Sequence, residues 1–339
     1  MSLSLDQIYV APRLRVLYST CLTEKNIQDL LSANNIFEFY DVLKETYYYS
    51  YVRGVSPRDM IGFELALNTY LYNLANTLSK YSYDISLLVD IMRKISLANI
   101  LVVLMRALST KRSRELESIR GLVPPEHSSL VEDFIREEIS LAKVIDTLKK
   151  EGFENLDYYF REFSKLFSPE TTIIYALDLS IMDLLYTATV NYPEISGMSC
   201  PEMDQYFLNF SSKIILKGLA TKLESLLPRL ALYTCSLSKE IALEILSSDD
   251  LRALSILRRY YPSTIISQDL ADSVVSIRGY LRKVARRNAV TALFSYPFTY
   301  SLLWAVFTLK RYDIEDLISI AMGKIGLVSN ERIRRLLSQ

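Results

Sequence analysis

Two helical patterns alternate along the chain, and each occurs three times in the same order. The first is an apolar pair, a polar break, and an apolar helix ending in an aromatic. It reads DLLSANNIFEFYDVLKETYYYSY at 29–51, DFIREEISLAKVIDTLKKEGF at 133–153 and EILSSDDLRALSILRRYYP at 244–262. Leu31 to Leu43, Arg136 to Leu148 and Ile245 to Leu257 hold one spacing, although Arg136 breaks the apolar match. The second pattern is a very apolar helix with a polar residue near its start, at Ile95 to Leu108, Phe210 to Leu223 and Asp313 to Ile325. Asn99, Lys213 and Asp316 take equivalent places in it, as do Arg106, Ala220 and Gly323. No single copy can cover its own apolar helices, so the copies must share a core. This requirement constrains the fold more than any one helix does.

The breaks between copies predict three helical units, 1–117, 118–230 and 231–339. The first boundary falls in the charged segment 112–128 with Pro124-Pro125, the second near 228–238. The segment 191–202, NYPEISGMSCPE, reads as a loop inside the second unit. Composition agrees with an all-α fold: nine glycines are too few for the turns and phosphate loops of β or α/β chains. Half of the residues are hydrophobic, enough for a large core. Helix starts are marked by Ser56-Pro57, by Ser168-Pro169-Glu170, by Ser129 with Glu132 at capping-box spacing, and by Ser329 ahead of a short last helix. Leu65, Leu67, Tyr70, Leu71, Leu74 and Leu78 form one helical stripe. The run from Tyr296 to Leu327, which holds the single tryptophan Trp304, predicts one apolar helix, a polar break at Lys310–Asp313, and a second helix ending at Gly323-Lys324.

Candidate chemistry is sparse. Cys21, Cys200 and Cys235 form no metal-ligand spacing and read as unpaired buried thiols in a reducing compartment. No metal or cofactor site is expected. His127, the only histidine, lies in a Pro-Pro-Glu-His-Ser turn and reads as a surface residue. Gly323-Lys324 lacks the rest of a phosphate loop, since Ile318 and Ile325 stand where glycine and Ser/Thr are needed. Asp249-Asp250 lacks the third aspartate of a magnesium–diphosphate motif. Asp313, Glu315 and Asp316 read as acids at a helix start. Tyr47, Tyr48 and Tyr49 suit helix ends with buried rings and wet hydroxyls. The 39 basic and 39 acidic residues cancel, which argues against nucleic acid as a partner. The densest basic run, 278–287, reads as a solvated face or a surface for an acidic protein; Arg278, Arg282, Arg286 and Arg287 are its candidate partner-binding residues. The N-terminus shows no signal-peptide pattern, and polar residues interrupt the apolar runs 95–108 and 172–190, so any membrane contact is expected to go through a partner. A non-enzymatic body that contacts other proteins is the reading that survives. A helical-repeat scaffold or adaptor is the alternative.

Several motifs carry a resemblance. Tyr9-x-Ala11-x-Arg13-x-Arg15, then Leu30-Leu31-x-Ala33, then Leu43-x-x-Thr46-x-Tyr48 resemble the start of the C subunit of the archaeal-type (A-type/V-type) ATP synthase, the equivalent of the d subunit of the eukaryotic vacuolar pump. Asn99-Ile100-Leu101 with Leu104 and Arg106 resembles an internal segment of that family. Pro297-Phe298, Leu302-Leu303, Glu315-Asp316-Leu317-Ile318-x-Ile320 and Gly323-Lys324-x-Gly326-Leu327 resemble its C-terminal signature. The chain departs from the family at Ser96, where an acid is usual, and at Lys213 and Asp316, where asparagine is usual. The resemblance implies three similar helical units with pseudo-threefold symmetry forming a funnel. It implies a non-catalytic central-stalk (rotor) protein on the cytoplasmic side of the cell membrane. Its partners would be the proteolipid ring of the membrane sector and the D and F subunits of the central shaft.

Overall fold

The computed structural model describes residues 5–81, 86–109, 123–128, 132, 141–295 and 300–339. Among them there is no strand, and the protein is all-α. The helices are α1 (Leu5–Ser19), α2 (Glu24–Ser32), α3 (Ile36–Leu43), α4 (Tyr49–Val52), α5 (Met60–Leu78), α6 (Ser86–Ser109), α7 (Leu141–Lys150), α8 (Leu156–Phe163), α9 (Pro169–Asn191), α10 (Ser196–Leu216), α11 (Leu227–Leu230), α12 (Lys239–Leu246), α13 (Asp250–Tyr260), α14 (Leu270–Phe294), α15 (Tyr300–Lys324) and α16 (Asn330–Leu336). They gather into two compact units, 1–184 with 313–327, and 185–312 with 328–339. The expected boundary at 117/118, the Ser129 cap, part of the second copy of the first pattern, and Pro297-Phe298 lie outside the described residues.

In the first unit, α2 and α3 form a short hairpin. Thr23 opens α2 with a capping box: its hydroxyl accepts from Asn26 N while Asn26 Oδ1 accepts from Thr23 N at 2.9 Å. Asn35 opens α3 by accepting from Phe37 N and Glu38 N. The hairpin buries Ile27, Leu30, Phe39 and Leu43. Helix α5 carries the Leu65–Leu78 stripe and is buried on nearly every side, packed along α6. Each leucine it fully buries contributes roughly 1.5–3 kcal/mol. Helix α5 begins at Met60, later than Ser56-Pro57 predicts, because the Asp59 carboxylate accepts from Gly62 N at 2.8 Å and makes the better cap.

In the second unit, α10 packs along α14, and α12 and α13 pack against each other as a short pair. Ser238 caps α12 and Asp249 caps α13, so the Asp249-Asp250 pair starts a helix. Ser329 caps α16 as its position predicts. Cys200 of α10 is bonded to Cys235 in the approach to α12, and Cys21 is the one cysteine outside a disulfide among the described residues. This corrects the expectation of unpaired thiols. The partners are separated by 35 residues, and no local spacing announces the pair.

Two further expectations fail for related reasons. Helix α15 runs unbroken from Tyr300 to Lys324, with Lys310, Arg311, Tyr312 and Asp313 all buried inside it. These residues are helix-compatible, and in the core Arg311 pairs with Glu202, Tyr312 bonds Gln205 and Asp313 accepts two hydrogen bonds, so no break is needed. Asp313 and Asp316 accordingly sit mid-helix rather than at a helix start. The segment 191–202 is a loop only to Ile195; α10 starts at Ser196 with Pro201 inside it. Pro201 has no N–H for the carbonyl of Gly197. The Asn288 side chain donates to that carbonyl instead, at 2.6 Å.

Helix α15 is closed just past Lys324 by Gly326, whose φ of 79° suits glycine. Leu327 N bonds Met322 O and Gly326 N bonds Gly323 O, each at 3.0 Å, which is a Schellman closure. Lys324 Nζ donates to Leu31 O at 2.7 Å. The Gly323-Lys324 pair therefore ends one helix and caps another.

Helix α9 is, among the described residues, the one helix long and apolar enough to cross a membrane, with 56% of its apolar window buried in the protein. Its Asp183 accepts from Tyr159 Oη at 2.7 Å and Asn155 Nδ2 at 3.0 Å. Those bonds mark it as a core helix.

Candidate partner-binding surface

Helix α14 carries the basic run, and its 3.6-residue period divides the charges between two sides. Tyr280, Lys283 and Arg287 are exposed. Arg282 points the other way and is 3% exposed. Its Nη1 donates to Leu336 O at 2.7 Å and its Nη2 to Tyr312 O at 3.4 Å, with the guanidinium 5.2 Å from the Tyr312 ring centre. Leu336 O is one of the carbonyls a helix end leaves open, so Arg282 closes the C-terminus of α16. Arg286, half-buried, donates to Ser338 Oγ at 3.2 Å. Arg278 is also half-buried. Of the four arginines singled out in the sequence, Arg287 is the one set fully at the surface. Arg282 and Arg286 tie down the chain terminus.

The tie continues inward. The Tyr312 hydroxyl accepts from Gln205 Nε2 at 3.0 Å, and the Arg311 guanidinium lies 5.6 Å from the Tyr312 ring centre. Arg311 pairs with Glu202 of α10 at 2.6 Å, with side chains 3% and 1% exposed. One run of contacts thus joins α10, α15, α14 and α16 within the second unit.

Three buried or part-buried aspartates act as latches between long helices and the short segments beside them. Asp313 accepts from Leu22 N at 2.8 Å and Tyr48 Oη at 2.7 Å. Burial, with the Asp313 charge beside it, pushes the Tyr48 hydroxyl well above its ordinary pKa. Asp204 accepts from Thr234 Oγ1 at 2.7 Å and Cys235 N at 2.8 Å, and Tyr261 Oη meets Ser236 Oγ at 2.9 Å. Asp183 takes Tyr159 and Asn155, as above. Tyr48 lies in the segment 29–51 and Tyr261 in 244–262, whereas Tyr159 lies in α8, and Tyr261 meets Ser236 rather than the aspartate. Asp313 lies three residues before Asp316, the place that Ser96 occupies in the first copy. Ser96 is buried and bonds only its own helix, at Met92 O, among its described bonds. The departure at Ser96 was the one sequence signal pointing to these latches.

His127 is buried, which corrects its assignment to the surface. Its ring packs edge-on against Tyr72, with Nε2 3.3 Å from Tyr72 Oη, and that hydroxyl donates to Glu126 at 2.9 Å. Burial lowers the His127 pKa, against the opposing pull of Glu151 and Glu126. Burial, then the bond to Glu126, pushes the Tyr72 hydroxyl up to about 12. Among the described residues no group of His, Cys, Asp and Glu is arranged to hold a metal.

A profile of the family described as ATP synthase (C/AC39) subunit matches residues 10–336. No curated protein matches the chain.

Proposed function

The chain belongs to the ATP synthase (C/AC39) subunit family, and on that premise we propose that it is the non-catalytic collar of a rotary ATP synthase, passing torque between the proteolipid ring and the D and F subunits of the shaft. The match over nearly the whole length carries this reading. It sits at the cytoplasmic side of the membrane and touches lipid only through its partners. Three helical units, 1–117, 118–230 and 231–339, make up its funnel. The two patterns that recur in the same order three times along the sequence support the triplication.

The physics of that role agrees. A part set between a ring and a shaft must not shear, and close-packed helices with directed buried bonds resist shear. The partner surface on α14 is carried by Arg287, with Arg278 and Arg286 at its margins. Charges there set specificity and association rate more than affinity. Arg282 supports that surface from inside.

Affinity purification of the tagged chain from its own membranes tests the reading. Shaft subunits and a small proteolipid should co-purify at stoichiometric yield, and their absence from gently solubilised membranes refutes it. Arg287→Glu should slow assembly at low salt while the isolated chain keeps its thermal midpoint. Unchanged assembly kinetics would remove Arg287 from the surface.

A further inference from the structure

On the exposed side of α14 lies an open cleft of about 450 Å³, with Thr264, Gly279, Tyr280, Lys283 and Arg334 in its lining. We propose that this cleft binds a nucleoside polyphosphate.

The floor depends on Gly279. A Cβ there would fall 1.7 Å from Arg335 O, so only glycine lets α16 lie against α14 at this point. That approach brings the last turn of α16, with Arg334 and Arg335, beside Lys283. Arg335 is paired with Glu331. Lys283 and Arg334 are exposed and leave the lining net positive. A guanidinium fork and an ammonium group are the side chains that suit phosphate oxygens.

The opposite requirement, a place for a base and sugar, is met by different residues. Tyr280 is 39% exposed and offers a ring, Ile265 and Ile266 are half-buried, and Thr264, Ser267 and Ser276 offer hydroxyls. The wall is preformed. Ser267 N donates to Ser273 Oγ at 3.0 Å, Ser267 Oγ to Asp269 O at 2.9 Å, and Arg258 Nη2 to Ser267 O at 3.3 Å. The volume lies in the range of small-molecule sites, which favours a compact ligand over an extended acidic peptide. The ligand is held and not hydrolysed, since the lining brings no carboxylate to activate water. The site needs no assumption about partner subunits, so it stands or falls apart from the collar reading.

Calorimetric titration of the full chain at low salt tests it, with ATP, tripolyphosphate, adenosine and hexaglutamate as separate probes. ATP should bind, with adenosine and tripolyphosphate each at least about tenfold weaker. The double variant Lys283→Gln/Arg334→Gln and the single variant Tyr280→Ala should each weaken ATP by about tenfold or more, with circular dichroism and thermal midpoint unchanged. Should either variant prove destabilised, Thr264→Trp, which fills the exposed rim, should abolish binding in its place. No heat up to about 5 mM ATP, equal binding of hexaglutamate or tripolyphosphate, or full affinity in folded variants would overturn the proposal.

Discussion

The ion pair between Glu202 and Arg311 offers the sharpest test of how the second unit is held. Both side chains are nearly inaccessible, and their atoms meet at 2.6 Å. Glu202→Gln keeps the shape but removes the charge, so the buried Arg311 guanidinium loses this carboxylate. Breaking such a pair on one side costs about 3–5 kcal/mol, whereas replacing both partners with apolar residues of similar volume is often neutral. For a unit of this size, a urea slope of about 2 kcal/mol per molar converts that loss to a midpoint lower by about 2 M. The melting temperature should fall by roughly 10 °C. Trp304, buried on α15 within the same unit, reports the transition by fluorescence. The double variant Glu202→Leu/Arg311→Met should recover most of the loss. A single variant within about 1 kcal/mol of the parent, or a double variant less stable than Glu202→Gln, would refute the account of a mutually dependent buried pair.

The other predictions use different probes. Because burial lowers the His127 pKa, the unfolded chain takes up that proton more readily; the associated stability is present above about pH 6.5 and is lost as pH falls through the folded value. The urea midpoint should therefore drop between about pH 7.5 and pH 5.5, and His127→Gln should make that drop smaller; an unchanged drop would exclude His127 as its source. The Cys200–Cys235 bond closes a separation of 35 residues, for which loop entropy gives about 4 kcal/mol. Reduction or Cys235→Ser should lower stability by up to that amount without loss of helix signal in circular dichroism. Asp313→Ala removes the carboxylate that accepts from Leu22 N and the Tyr48 hydroxyl, at roughly 1–3 kcal/mol for each bond lost. Hydrogen exchange should then quicken at Leu22 and across α2, and protection equal to the parent would disprove the latch.

Much of the helix content was legible because it rests on local rules. Ser168 directly precedes α9, Ser329 caps α16, and the Leu65–Leu78 stripe is buried as its period requires. The failures share a cause. Lys310 to Asp313 look like solvent-seeking residues in sequence, yet their partners come from far along the chain: Leu22 and Tyr48 for Asp313, Glu202 for Arg311. Arg282 looks like one more surface cation in a basic run, and only the fold reveals the Leu336 carbonyl it serves. The Cys200–Cys235 pair and the Asp204 latch one turn along α10 were hidden for the same reason. Polarity in a sequence reports a need for partners, not where those partners come from.

That need also explains why such groups stand in the core at all. A leucine contact tolerates sliding, because dispersion and burial change little over a fraction of an ångström. A carboxylate that accepts both a backbone N–H and a tyrosine hydroxyl does not, because both bonds weaken with a small shift or tilt. Asp313 fixes the entry to α2 and the Tyr48 turn at once, and Asp204 fixes the entry to α12 beside the disulfide. These bonds add little net stability over an apolar substitute. What they add is a single permitted register at the junctions between long helices and short hairpins, where apolar packing alone would let the elements slide.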